Sequence, residues 1–398
     1  MKKFCIALVF LCVVFTSWAF DSNRIFEMGI DVGVGAANNY FTLNDFSQET
    51  LVIDFNDIVQ KIANQGFRVS VDGDIDTFMS LNLSKKLQLR FFTDIDIYTY
   101  SATPASLFDL IASGNIPDKA YEDDFDLKGD VYVETGAQYS TMIGPVAASI
   151  RPVWFMPVVH MHNASVSYSF TTSSDGTLST SGSADIPVYT VLPVDSLSEG
   201  VNPGEVISAL FASGGLDFSV SAEYPLFPVL SVGARLVNVP FVPARMKYGS
   251  HYTASADFTL NGLGDNFDFG SLYTTTTDSD FETDMESVFV YRTFKIGAYA
   301  DYSPFMSKLL VLTPNLALAI DDSVYADCGL KVQTNLINIL MASLESQYED
   351  RIWNQKITIG FNLRVFELDI FAATQSPGFI QSFTGSGFSA GIGLRFGY

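Results

Sequence analysis

Residues 67–97 read FRVSVDGDIDTFMSLNLSKKLQLRFFTDIDI. The odd positions carry Phe67, Val69, Val71, Ile75, Met79, Leu81 and Leu83. The even positions include Arg68, Ser70, Asp72, Asp74, Asp76, Ser80 and Asn82. After the turn Ser84-Lys85-Lys86 the alternation resumes, with Leu87, Leu89, Phe91, Ile95 and Ile97 on one face. Gln88, Arg90, Asp94 and Asp96 lie on the other. A period of two marks a hairpin with one apolar and one polar face. Its strands are too long for most globular sheets. They suit tilted strands that place about ten residues in a bilayer and extend beyond it.

The same alternation recurs down the chain. Val131, Val133, Ala137 and Tyr139 alternate with Glu134, Gly136 and Gln138, and Leu216, Phe218, Val220 and Ala222 alternate with Asp217, Ser219 and Glu223. Ile357, Ile359, Phe361 and Leu363 alternate with Lys356, Thr358 and Asn362. Some connections are tight, at residues 143–145, 225–228, 304–308 and near Phe366. Others are long and polar or acidic, at 101–128, 190–214 and 260–286. Tight turns at one rim and long loops at the other describe a membrane barrel. Mean hydropathy is +0.23. Yet beyond the N-terminus no apolar run reaches the ~18 residues of a membrane helix. Tyrosines near strand ends (Tyr98, Tyr139, Tyr224, Tyr302, Tyr348) suit interfacial girdles. About 14 to 16 candidate strands can be counted, and their up-and-down order does not close cleanly between 160 and 250.

The chain ends on Phe388, Ala390, Ile392, Leu394, Phe396 and Tyr398, alternating with Ser389, Gly391, Gly393, Arg395 and Gly397. A terminal strand ending in an aromatic residue resembles the signal read by the outer-membrane barrel assembly machinery, through Tyr398. The N-terminus reads as a secretory signal. Lys2 and Lys3 precede an apolar run from Ile6 to Phe15, and Ser17-Trp18-Ala19 directs cleavage after Ala19. The expected destination is the cell outer membrane.

Without Lys2 and Lys3, 20 basic residues face 44 acidic ones, a net charge near −24. Nucleic acid is excluded as a partner. Cys328 is the one cysteine left after the signal, so no internal disulfide forms. Helical spacing appears at Ile53–Asn64, Pro104–Ser113 and Pro203–Ser213.

Several segments carry a resemblance to the FadL family of outer-membrane long-chain fatty-acid transporters, as a divergent branch. They are Met28 to Gly35 followed by Asn38-Asn39-Tyr40-Phe41, Asn238 to Arg245, Gln347 to Trp353, and Gln375-Ser376-Pro377. The resemblance implies a transmembrane antiparallel β-barrel of about 14 strands with an N-terminal hatch and short loop helices. It divides the chain into a signal peptide at 1–19, a hatch or loop segment at 20–66 with an amphipathic helix, and a barrel at 67–398. It also implies passive uptake of a hydrophobic small-molecule ligand. The Asn-Pro-Ala stretch of better-known members is absent, and no ligand-binding residue is carried over. A general porin and a surface-exposed structural or adhesive barrel are the alternatives.

No catalytic group is expected, because a lipid hydrolase needs a serine activated by a histidine. Of the three histidines, His160 and His162 share a strand face but no nearby ligand set completes a metal site. No cofactor is implied, and outer-membrane lipids are the expected surroundings. Asp72, Asp74 and Asp76 point one way, with Asp94 and Asp96 on the next strand and Arg68 and Arg90 on the same faces. Arg364 and Arg395 lie on polar faces of later strands. These charges make either an internal bracing network or a cation-lined pore. Pro240, Phe241 and Pro243 interrupt a strand, because proline cannot donate to the ladder. They mark either a wall kink that opens a lateral route or a rim turn. The helix at Ile53–Asn64 is expected in the lumen, with an external cap or a bilayer-lying element as the competing placements.

Overall fold

The computed structural model describes residues 24–48, 50, 53–62, 66–84, 86–193, 202–260, 273–305, 309–320, 323–336, 339–349 and 352–398. The expected signal peptide, residues 1–19, lies outside the described residues.

The strands are β1 (Phe26–Asn38), β2 (Phe67–Ser84), β3 (Leu87–Thr103), β4 (Ala120–Ile143), β5 (Val146–Thr172), β6 (Leu178–Thr190), β7 (Gly215–Phe227), β8 (Leu230–Val242), β9 (Ala244–Met246), β10 (Tyr248–Leu260), β11 (Tyr273–Met285), β12 (Val288–Val290), β13 (Phe294–Tyr302), β14 (Leu310–Ile320), β15 (Val324–Leu336), β16 (Leu340–Glu349), β17 (Ile352–Asn362), β18 (Phe366–Ser376) and β19 (Gly387–Gly397). Among the described residues five helices interrupt them: α1 (Leu43–Phe46), α2 (Phe55–Ile62), α3 (Ala105–Ser113), α4 (Pro203–Ser213) and α5 (Phe379–Thr384).

Seventeen strands form one sheet. Its ring runs β1 to β5, passes to β7 and β8, crosses to β13, continues to β19 and returns to β1. Every pairing is antiparallel, and closure leaves no edge in the ring. The total exceeds the expected count of about 14 because β6, β10 and β11 leave the ring. They extend the upper half of β5 as a flap, β5 to β6 to β10 to β11. That branch is why the alternation fails to close between 160 and 250. The long connections at 101–128, 190–214 and 260–286 also hold structure: the start of β4, α4 and β11.

Outward parity carries the apolar side chains. Leu316, Leu344, Ile357 and Ile370 are each about half exposed or more on mid-strand positions. So broad a band of exposed aliphatic side chains belongs in lipid, not water. The protein is a transmembrane β-barrel of the outer-membrane type. Among the described residues no helix is long and apolar enough to cross a membrane, and crossing is by strands.

The N-terminal segment differs from expectation. Phe26–Asn38 is a wall strand that closes the ring between β19 and β2, with Asp31 opposite Gly393 on one side and Asp76 on the other. It has alternating glycines and full ladders on both edges, so it satisfies its backbone in the wall and not as a lumenal hatch. Phe26–Asn38, within the expected 20–66 segment, is therefore part of the barrel wall. Helix α2 buries Ile58 and Ile62 and packs against α3 in the connections at the rim opposite the tight turns. Phe108 of α3 meets Phe55 and Phe67 at 6.5 and 6.0 Å. Asp57 accepts from Lys61 at 2.8 Å and from Tyr40 at 2.7 Å. Those bonds, Lys61 foremost, hold its carboxyl below the usual range, and burial pushes the Tyr40 hydroxyl up.

Candidate functional site: the charge-lined lumen

The strand parity that faces lipid on one side delivers charge to the other. One continuous cavity of about 2030 Å³ occupies the lumen. Arg24, Leu363, Arg364 and Tyr398 line it at the tight-turn rim, and Asn38, Arg68, Ser323 and Pro377 at the opposite rim. The cavity is therefore bordered by residues of both ends of the barrel.

The ladders set a row of carboxylates across neighbouring strands. Asp369 and Asp31 both pair with Gly393, Asp31 pairs with Asp76, Asp76 with Asp94, and Asp94 with Glu134. One row nearer the long-loop rim, Asp74 sits opposite Asp96. Asp72 lies across β1 at Gly35, where an added Cβ would meet its carboxylate at 2.6 Å. Arg68 lines the upper lumen. The structure thus brings Asp74, Asp76, Asp94 and Asp96 together, with Arg90 next but one to Asp94 on the same face of β3 but not bonded to it, and Arg68 apart toward the long-loop rim.

Bracing comes from other residues. Arg151 of β5 binds Asp94 at 2.6 Å. Arg395 binds Glu367 and Asp369 at 3.0 Å each and Asp31 at 3.4 Å. Arg292 donates to Asp217 at 2.8 and 2.7 Å and pairs with Glu134. On the far wall Lys295 joins Asp327 at 2.9 Å and Glu349 at 3.0 Å. Arg364 is not on a strand face. It sits in the turn after β17 with φ of 69°, and its carbonyl accepts from Arg24 at 2.7 Å.

Aromatic rings form a second layer that the alternation hides. Phe78, Phe92 and Phe155 occupy lumenal positions, each laid across a glycine of the adjacent strand. A Cβ on Gly29 would meet Phe78 at 2.5 Å, on Gly136 Phe92 at 2.6 Å, and on Gly215 Phe155 at 2.6 Å. A cation covers each ring: Arg90 over Phe78 at 3.7 Å, Arg151 over Phe92 at 3.8 Å, and Arg292 over Phe155 at 5.2 Å. Lys356 lies over Phe371 at 4.1 Å, with Gly391 beneath the ring. Glycine, ring and cation make a layered wall in which the ring holds the cation flat. The lone sequence signal is the run of glycines on the polar parity of β1, β4 and β19.

The connection from β8 to β13 narrows the lumen. Its ends, β9 and β12, pair as a separate two-stranded sheet. Ala244, Met246 and Val290 are almost fully buried in one cluster with Phe78, Phe92, Val153 and Phe155. Phe289, Val290 and Arg292 line the cavity. This strap lies inside the barrel, the place the sequence assigns to part of the N-terminal segment.

The proline-punctuated stretch sits where the strap departs. The β8–β13 ladder stops at Val237 and Lys295, whereas β8 stays paired to β7 as far as Val242. Asn238 takes φ of 55°, and the register slips between Phe218 and Val220. Pro240 still pairs with Asp217, and Phe241 is 70% exposed. Pro240, Phe241 and Pro243 thus follow a bulge in the wall.

His160 binds Asp130 through Nδ1 at 2.6 Å, and Tyr132 donates to the same carboxylate at 3.1 Å. The side chain of His162 lies outside the described part. Among the described residues no group of three or more His, Cys, Asp or Glu side chains is placed to hold a metal ion.

No protein-family model matches the sequence, and no curated protein does. Solved structures that share the barrel are distant. A deletion mutant of the TodX monoaromatic hydrocarbon channel is 7% identical, with TM-score 0.44, over 94% of this chain and 90% of its own. The translocator domain of autotransporter NalP from Neisseria meningitidis is 8% identical, with TM-score 0.33, over 95% and 90%. A Rhodopseudomonas blastica porin mutant is 9% identical, with TM-score 0.27, over 93% and 100%.

Proposed function

We propose that this protein is a passive outer-membrane channel whose lumen passes small polar or amphipathic solutes. The single observation that carries the reading is the cavity of about 2030 Å³ lined by residues of both rims. Acidic and basic side chains both line it, which keeps it wet and offers charged solutes partners. No energy source enters the scheme. Proteoliposome swelling tests it. Vesicles carrying the protein swell faster than empty ones in small sugars and in sodium benzoate. Equal rates would remove the channel reading.

A second reading, uptake of a hydrophobic ligand such as a long-chain fatty acid, is favoured by the bulge at Asn238. There the ladder to β13 is lost and Phe241 is exposed. A ligand in the lumen would leave sideways between β8 and β13 into the bilayer. A crosslink across this seam would then stop uptake of oleate and leave sugar permeation unchanged.

A further inference from the structure

Four arginines line the lumen beside the carboxylate row: Arg395, Arg90, Arg151 and Arg292. Three are ion-paired at the distances given above. Arg90 makes no side-chain hydrogen bond or ion pair with any described residue, its one partner being the ring of Phe78. The neighbouring carboxylates Asp94 and Asp31 are already held, by Arg151 at 2.6 Å and by Arg395 at 3.4 Å. Phe78 covers one face of the guanidinium and is itself fixed against Gly29. A planar cation held this way keeps its in-plane N–H edge free, and Arg90 borders the cavity. An unpaired guanidinium with a fixed plane matches a carboxylate, which accepts two parallel N–H bonds. Arg151 and Arg395, on either side, are taken up by the carboxylates they pair, so Arg90 is the arginine of this row left to receive an anion.

We infer that Arg90, stacked on Phe78, is a binding point in the lumen for the carboxylate group of a passing solute. The site deepens the channel reading and rests on it for its role. Binding itself requires no conduction, so the two fail separately. Carboxylate binding without permeation would sink the channel and leave the site.

The test is isothermal titration of the full chain in detergent with sodium benzoate and sodium octanoate. Benzyl alcohol serves as an uncharged probe. Wild type is expected to bind both carboxylates and not the alcohol. Arg90→Gln should weaken both at least tenfold, and Lys86→Gln, the same charge change at the rim turn, should leave both unchanged. If Arg90→Gln fails to assemble, Phe78→Leu replaces it and should weaken benzoate several-fold, because the guanidinium loses its support. Comparable affinity for benzoate and octanoate supports recognition of the head group, whether free or on an acyl chain. The proposal is overturned if wild type binds neither carboxylate, or if binding of both survives Arg90→Gln or Phe78→Leu at wild-type affinity.

Discussion

Arg292, on the chain between β12 and β13, grips Asp217 of β7 through two side-chain hydrogen bonds of 2.8 and 2.7 Å. It also pairs with Glu134 of β4. One residue of the inward strap thus ties two wall strands that flank β5. Breaking a buried pair leaves its partners uncompensated and typically costs about 3–5 kcal/mol. Arg292→Gln should therefore loosen the strap and lower the thermal midpoint of the folded band on a detergent gel. Arg292→Gln with Asp217→Asn should recover part of the loss. Equal midpoints for all three proteins would show that the strap is held by its apolar cluster alone.

The glycines under the rings make a second prediction. A side chain at Gly136 would meet the Phe92 ring at 2.6 Å and crowd the Pro152 carbonyl. Gly136→Val should reduce the heat-modifiable folded fraction strongly. Gly391→Val should do the same, because the Phe371 ring and the Val32 carbonyl both obstruct a side chain there, and Phe371→Ala should restore it only in part. A Gly391→Val protein that folds normally with Phe371 intact would contradict the layered wall.

Much of this wall was legible in the sequence, for a physical reason. Side chains alternate with period two, so the pattern alone sets Ile75, Leu81 and Leu89 on one face and Asp74, Asp76 and Asp94 on the other. The turn at Ser84 to Lys86 fixed the register of that hairpin. Phe78 and Phe92 escaped notice because they break the polar pattern at single positions. Only the cross-strand register shows a glycine beside each. The strap was out of reach for another reason. Ala244–Met246 and Val288–Val290 are three-residue strands far apart in sequence, too short for periodicity to register. Phe26 to Gly35 reads as a short glycine-rich strand, but its place in the wall shows only in the ladders on both its edges.

Lipid-facing positions give a third prediction. Leu344 is 59% exposed at the middle of β16, and its neighbour Ser343 is buried on the lumenal side. Arginine on the lipid face near the bilayer midplane costs about 2–4 kcal/mol. Leu344→Arg should lower folding yield into vesicles well below that of Ser343→Asn. Equal yields would reverse the assignment of inside and outside.

The α2–α3 cap should respond to acid. Lys61 and Tyr40 hold Asp57 below its ordinary 3.8, and Lys119 and Ser113 do the same for Asp109. A lowered carboxyl stabilises the folded form above 3.8, and that contribution disappears as pH falls through the folded value. Both carboxyls are partly open to solvent, so the effect is local and modest. Amide exchange in residues 55–62 and 105–113 should quicken relative to the wall strands between about pH 4 and pH 2. Exchange ratios that stay constant over that range would show the pairs contribute nothing.

The most direct test of an open, charge-lined lumen is the current through single barrels in a planar bilayer. Wild-type protein should insert in discrete steps of ionic conductance. Removing residues 39–65 should leave the step size near that of wild type, because the wall strand β1 and not a hatch precedes that segment. A wild-type protein that inserts and folds but stays electrically silent, and conducts only when 39–65 are removed, would contradict an open lumen and return the N-terminal segment to the role of plug.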